Sequence, residues 1–138
     1  WKVALSKMLA HLWPTFTLPS RLEVQALSRD AAVVEAYLRD PLVHDRISAS
    51  AGFWLLRMGE LAFQQADELT LPLLLMHGSA DRIVSCDASR EFAARADGFC
   101  TLHIWDDLYH EIHNEPQQEQ VFALLVAWLD ERMQRKQE

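Results

Sequence analysis

Asp81 and His110 are the residues of this chain whose types and spacing point to chemistry. Each follows a short apolar run at the same interval. Asp81 comes after Leu71–Met76 and a turn at Gly78, and His110 comes after Cys100–Trp105 and a polar loop. If the two runs are neighbouring parallel strands, both loops leave at one edge of the sheet, where open α/β sheets gather their functional groups. Residues 29 apart in sequence then become neighbours in space. A carboxylate that accepts a hydrogen bond from one imidazole nitrogen fixes the tautomer of the ring. The other nitrogen is then free to take a proton from a nucleophile. Taken singly, Asp81 reads as a turn-capping carboxylate and His110 as a surface loop histidine. Their matching positions after consecutive strands favour an acid–base relay.

No nucleophile motif accompanies them. The four glycines, Gly52, Gly59, Gly78 and Gly98, frame no serine at the spacing of a G-x-S-x-G elbow. Ser79 sits on the acid turn itself and is a poor candidate. His110-Glu111-Ile112-His113 lacks the spacing of a zinc-binding H-E-x-x-H, so with Asp106 and Asp107 it reads as a solvated acidic loop, and no metal site is expected. His77 and His103 read as packed or hydrogen-bonded strand histidines. Cys86 opens a helix, where a thiol pKa can fall, but it reads as an inert thiol. Val84, just past the acid turn, either lines a pocket or packs in the core.

The elements that must position the pair come in two halves. Before residue 70 the pattern is helices and loops. Apolar residues at Val3, Leu5, Met8, Leu9 and Leu12 predict a helix over 2–12, interrupted by Pro14 and Pro19. Ser28–Asp30 offers N-cap chemistry for a helix over Ala31–Leu38, and Asp40-Pro41 stops it. A third helix is expected from about Ser48 to Gln65, with Trp54, Leu55, Met58, Leu61 and Ala62 on one face, despite Gly52 and Gly59. After residue 70 the pattern alternates strand, helix, strand, helix. Leu71–Met76 has the nearly continuous apolar character of a strand covered on both faces. Ser85–Ala96 suits a helix, stopped by Asp97-Gly98. Asn114 is expected to cap a last helix, with Pro116 in its first turn and a stripe of Phe122, Leu125, Leu129 and Met133. Two strands joined through a helix form a βαβ unit, but two strands alone make a poor sheet, which suggests further strands upstream.

The bulk numbers exclude several classes. Half of the 138 residues are hydrophobic, enough for one domain with a real core. A formal net charge of −7 without a basic stripe argues against nucleic acid as a partner. The two cysteines, Cys86 and Cys100, form no C-x-x-C pair and read as reduced thiols of a cytoplasmic protein. No apolar run approaches the ~20 residues that span a bilayer. The chain opens on Trp1 rather than Met, so it reads as part of a longer protein.

Two pairs of blocks carry a resemblance. Leu74-Leu75-Met76-His77-Gly78-Ser79-Ala80-Asp81-Arg82 and Leu108-Tyr109-His110-Glu111-Ile112-His113-Asn114-Glu115 resemble the acid and histidine blocks of the monoacylglycerol lipase and lysophospholipase group of α/β-hydrolases. Leu27-Ser28-Arg29-Asp30 and Tyr37-Leu38-Arg39-Asp40-Pro41-Leu42-Val43 resemble that group's cap segment. The resemblance implies Asp81 as triad acid, His110 as general base, and a serine on an elbow that precedes both, hence upstream of Trp1 together with the oxyanion-hole amides. No metal or organic cofactor is implied.

The expected architecture is therefore α/β: the C-terminal portion of an α/β-hydrolase fold, with a helical cap over 1–69 and two parallel strands within 70–138. The expected activity of the parent protein is cleavage of carboxylic esters of lipid-like substrates. The alternatives are a truncated or degenerate hydrolase kept as a binding module, or a related hydrolase acting on a small ester or a peptide. Trp1, Leu5, Leu9, Leu12, Trp13 and Phe16 of the first helix and its exit form either core or a lid that touches lipid, giving a peripheral membrane contact.

Overall fold

The computed structural model describes the backbone of residues 2–135 and the side chains of 7–134. Trp1, the side chains of Val3 and Leu5 from the expected first stripe, and the tail residues 136–138 lie outside what it describes.

Helix α1 spans Lys2–Leu12 and packs against α3, which spans Ala49–Gln64. Between them the chain forms α2, Ala31–Arg39. Its cap is Asp30, whose carboxylate accepts from the Ala32 amide at 2.8 Å, and Asp40 turns extended before Pro41. Ser48 caps α3 by accepting from the Ala51 amide at 3.1 Å, and neither Gly52 nor Gly59 breaks the helix.

The first half is not only helices and loops. Strands β1, Thr17–Pro19, and β2, Arg46–Ser48, pair antiparallel. Arg46 donates from Nε to Thr17 Oγ1 and from Nη2 to the Thr17 carbonyl, both at 2.8 Å. Strands of three residues, one of them ending on Pro19, are too short to carry a readable period, so the pair was invisible in the sequence.

The second half is built on β3, Leu73–Gly78, and β4, Cys100–Trp105, joined through α4, Cys86–Arg95. The strands are parallel, in register from Leu73 opposite Cys100 to Gly78 opposite Trp105. β3 begins only after Pro72, which lacks an N–H for the ladder. It runs on through His77 and Gly78, two residues past the expected end. Asp97 and Gly98 stop α4 with positive φ values of 36° and 87°.

The last helix differs from expectation. Asn114 does not cap it. Asn114 closes a short 3-10 turn, Ile112–Asn114, and its side-chain amide donates to Glu111 at 2.8 Å. The helix, α5, spans Gln118–Arg135, so Pro116 lies ahead of it rather than in its first turn. The expected stripe is also not the packed face. Phe122, Leu129 and Met133 are exposed, whereas Val121 is buried against Leu108 and Ile112, with Met76 and Trp105 alongside. Leu108 and Ile112 flank His110 in sequence, so this small core anchors the loop that carries it.

Gly78 shows how closely those loops approach. A Cβ at this position would lie 2.2 Å from the Leu108 carbonyl oxygen and 2.4 Å from that of Tyr109. Only glycine lets the end of β3 pass under the loop that carries His110.

Candidate active site

Asp81 stands at the start of a tight turn after β3. One carboxylate oxygen, Oδ1, accepts from the backbone amides of Ile83 at 2.7 Å and Val84 at 3.0 Å, an arrangement that aspartate forms readily in turns. That fixes the rotamer and presents Oδ2 to the next loop, where His110 Nδ1 lies at 2.8 Å. The Asp81 side chain is only 2% exposed, and that of His110 is 35% exposed. Burial is the strongest single influence on the Asp81 carboxyl and pushes its pKa up. The His110 hydrogen bond, the two turn amides and the His110 charge together outweigh it, and the net shift is downward. With Nδ1 engaged, no described residue occupies Nε2 of His110, which is left able to accept a proton.

A second histidine sits beneath the carboxylate. His77, on β3, is buried; its Nε2 lies 3.1 Å from Asp81 Oδ2 and 3.3 Å from the Val84 carbonyl oxygen, and its Nδ1 is 2.7 Å from Ser89 Oγ on α4. The expectation of a hydrogen-bonded strand histidine holds for His77. His103 packs its ring against Trp105 at 4.4 Å.

The loop that carries His110 is tied down from the first half of the chain. The His110 amide donates to the Ala26 carbonyl at 3.3 Å, and the Glu111 amide to that of Leu27 at 2.8 Å. Ser28 Oγ donates to the Asn114 carbonyl at 2.8 Å. Glu115 is the knot. Its side chain is fully buried and accepts from the Tyr109 amide at 2.8 Å, the Arg29 amide at 3.1 Å and Arg29 Nε at 2.8 Å. A buried carboxylate is tolerated only when satisfied in this way.

The remaining sequence candidates fall into place around this core. Val84 has an exposed side chain, and it is its backbone that meets Asp81 and His77. Ser79 Oγ accepts from the Asp107 amide at 2.8 Å, so it braces one loop against the other. Cys86 and Cys100 are free, and burial pushes the Cys100 thiol up, away from reactivity. Among the described residues no cluster of three His, Cys, Asp or Glu has the arrangement of a metal site. A cavity of about 450 Å³, lined by Leu22, Val24, Tyr37, Leu38 and Val43 among others, lies in the first half of the chain and includes neither Asp81 nor His110. Glu115, Arg29 and Ser89 were not singled out as site residues from the sequence.

A family model described as "Serine aminopeptidase, S33" matches residues 1–117. The chain belongs to this hydrolase family. Among curated relatives, a monoacylglycerol lipase of Mycolicibacterium smegmatis is 37% identical over 129 residues, which is 92% of this chain and 46% of that protein. A phospholipase of Bacillus subtilis is 31% identical over 91% of this chain and 49% of its own length. Among solved structures, the monoacylglycerol lipase of Paleococcus ferrophilus superposes with a TM-score of 0.89 at 35% identity, covering 93% of this chain and 51% of that one. The chain thus spans about half the length of these relatives. Its fold is that of the α/β-hydrolases, and the lipase-like resemblance read from the acid and histidine blocks holds.

Proposed function

We propose that the full-length protein is a serine ester hydrolase acting on carboxylic esters of lipid-like substrates such as monoacylglycerols or lysophospholipids, with Asp81 and His110 as the acid and base of its triad. In this reading the nucleophilic serine comes from the part of the protein outside these 138 residues, 1–69 form a cap, and 70–138 are part of the catalytic core. The observation that carries it is the 2.8 Å contact between Asp81 Oδ2 and His110 Nδ1, with the other ring nitrogen engaged by no described residue. The names of the lipase and phospholipase relatives support the substrate class.

The chemistry follows from that geometry. His110 Nε2 takes the serine proton as the serine oxygen attacks the ester carbonyl. It returns that proton to the departing alcohol when the tetrahedral intermediate collapses, leaving an acyl-enzyme. It then activates water to release the fatty acid. Asp81 holds the ring in the correct tautomer and stabilises the imidazolium formed in each step. Val84, exposed beside the acid turn, forms part of the acyl-pocket wall.

The test is hydrolysis by the full-length protein of monoacylglycerols and lysophospholipids of increasing acyl length, together with labelling by a fluorophosphonate serine probe. Turnover of lipid esters with labelling outside residues 1–138 is the expected result. Turnover of aminoacyl anilides and not of esters would move the reading to a peptidase. No labelling and no turnover of any substrate would leave a non-catalytic binding module.

We further propose that the first helix and its exit touch the lipid surface. Met8, Leu12 and Trp13 are 51%, 73% and 61% exposed, a row of apolar side chains at one end of the chain. Deleting residues 2–13 from the full-length protein should weaken co-sedimentation with phospholipid vesicles. Equal binding with and without the segment would refute the contact.

A further inference from the structure

We infer that His77 is a positioning residue of the relay, holding the Asp81 turn and its reactive oxygen in place through a proton on Nε2 that the Asp81 and Val84 oxygens select and the Ser89 hydroxyl supports. This rests on the triad reading of Asp81 and His110 and extends it by one histidine and one serine.

The argument begins with which ring nitrogen carries the proton. His77 Nε2 faces two oxygens, Asp81 Oδ2 at 3.1 Å and the Val84 carbonyl at 3.3 Å. Both are acceptors. A bare lone pair there would set three electron-rich atoms against each other in a buried space, where such repulsion is costly. A proton on Nε2 removes the conflict. Nδ1 must then accept, and Ser89 Oγ stands 2.7 Å away with a hydroxyl to donate. The two oxygens thus set the tautomer of His77, and the Ser89 hydroxyl, able to donate or accept, supports it by donating to Nδ1.

The consequence lies at the Asp81 turn. Val84 and Asp81 are its two ends, and the Val84 amide already donates to Asp81 Oδ1. The His77 N–H donates to the carbonyl of one end and stands 3.1 Å from the carboxylate of the other. It also places positive charge density beside Oδ2, the oxygen that His110 uses. The chain of contacts runs from Ser89 on α4, through His77 on β3, to Asp81 and on to His110. A residue that merely filled space at position 77 would leave the Val84 carbonyl unpaired and free the turn to shift.

The test uses the full-length protein and its preferred ester, with four variants: His77→Leu, His77→Gln, Ser89→Ala and the combination of the last two. His77→Leu fills the volume and removes the donor. It is expected to lower kcat about 10- to 100-fold, the scale of a misplacement near 1 Å, with KM nearly unchanged. Glutamine sets its amide nitrogen near the place of Nε2, needs no tautomer, and should restore kcat to within a few-fold of wild type. Ser89→Ala should lower kcat several-fold when His77 is present and not at all beside His77→Gln, a coupling in kcat expected if Ser89 acts on the Asp81 turn only through the His77 ring. If His77→Leu does not fold, the Ser89 pair decides the question, because Ser89 is only half-buried and its loss is mild. Wild-type kcat in His77→Leu with a lowered Tm would overturn the inference, as would a Ser89→Ala effect equal in both backgrounds. Failure of the triad reading is distinguishable: there His110→Ala itself retains activity, whatever happens at His77.

Discussion

Replacing His110 by alanine in the full-length protein is expected to lower kcat by about 10⁴-fold or more while leaving the fold intact. The size of the effect follows from the role. The imidazole is the base for serine attack and the acid for alcohol release, so its loss disables both half-reactions, and only binding and the oxyanion hole continue to accelerate the ester. The mildness for folding follows from the surroundings. The His110 side chain is 35% exposed, and Asp81 keeps the amides of Ile83 and Val84 after the ring is gone. The loss is of the order of one hydrogen bond, about 1 kcal/mol.

The same substitution has a signature in the pH dependence of stability. In the wild type the Asp81 carboxyl is held below its ordinary pKa, against the upward push of burial, in part by the His110 bond and charge. A depressed carboxylate contributes stability that is present above its unfolded pKa and is lost as the pH falls through its folded one. Removing His110 leaves burial less opposed, so the folded pKa rises and acid destabilisation sets in at higher pH. Tm measured against pH for wild type and His110→Ala checks the direction. Full esterase activity in the variant, or an acid limb that does not move upward, would refute the arrangement described here.

The relay pair was legible from sequence because its signal is local. A buried-strand run, a polar turn and one titratable residue recur twice at the same interval, and parallel pairing does the rest. Helices α2, α3 and α4 were legible for a similar reason: Asp30, Ser48 and Ser85 each accept from a backbone amide in the first turn. What was not legible is non-local. Arg29 and Glu115 are 86 residues apart, and no period or spacing links them. His77 looked like one more residue in a strand, because the contacts that make it distinctive lie on a turn and a helix that follow it. The stripes on α3 and α5 teach a different lesson. Trp54, Leu55 and Met58, and Phe122, Leu129 and Met133, do lie at helical spacing, yet all are about half exposed or more among the described residues. Periodicity reports that a face is apolar and says nothing of which element covers it.

The second large effect concerns Glu115. Glu115→Ala is expected to destabilise the full-length protein by about 3–5 kcal/mol, the range for breaking a buried, hydrogen-bonded ion pair from one side. The carboxylate is fully buried, and three donors converge on it. Without it, the amides of Arg29 and Tyr109 lose their acceptor in a closed space, and each orphaned group costs about 1–3 kcal/mol. The Arg29 side chain is 31% exposed, so its guanidinium can recover water, which keeps the total from exceeding that range. Glu115→Gln retains an acceptor for both amides but turns an NH2 toward Arg29 Nε, losing that hydrogen bond along with the charge pairing; because the amides stay satisfied, its cost should be smaller, about 1–3 kcal/mol. Urea unfolding of the two variants, with Arg29→Ala and the double variant to close the cycle, measures the pairing directly. The effect should extend to catalysis, because the Tyr109 amide held by Glu115 adjoins His110, whose own amide rests on the Ala26 carbonyl. Segment 26–29 and the His110 loop are thus one structural unit. Loosening Glu115 frees the loop to carry the imidazole off the line to Asp81, lowering kcat in the folded fraction even where binding persists. A Glu115→Ala protein with wild-type urea midpoint and wild-type kcat would show that the knot holds nothing. The cost instead ties the first half of the chain to the residue that moves the proton.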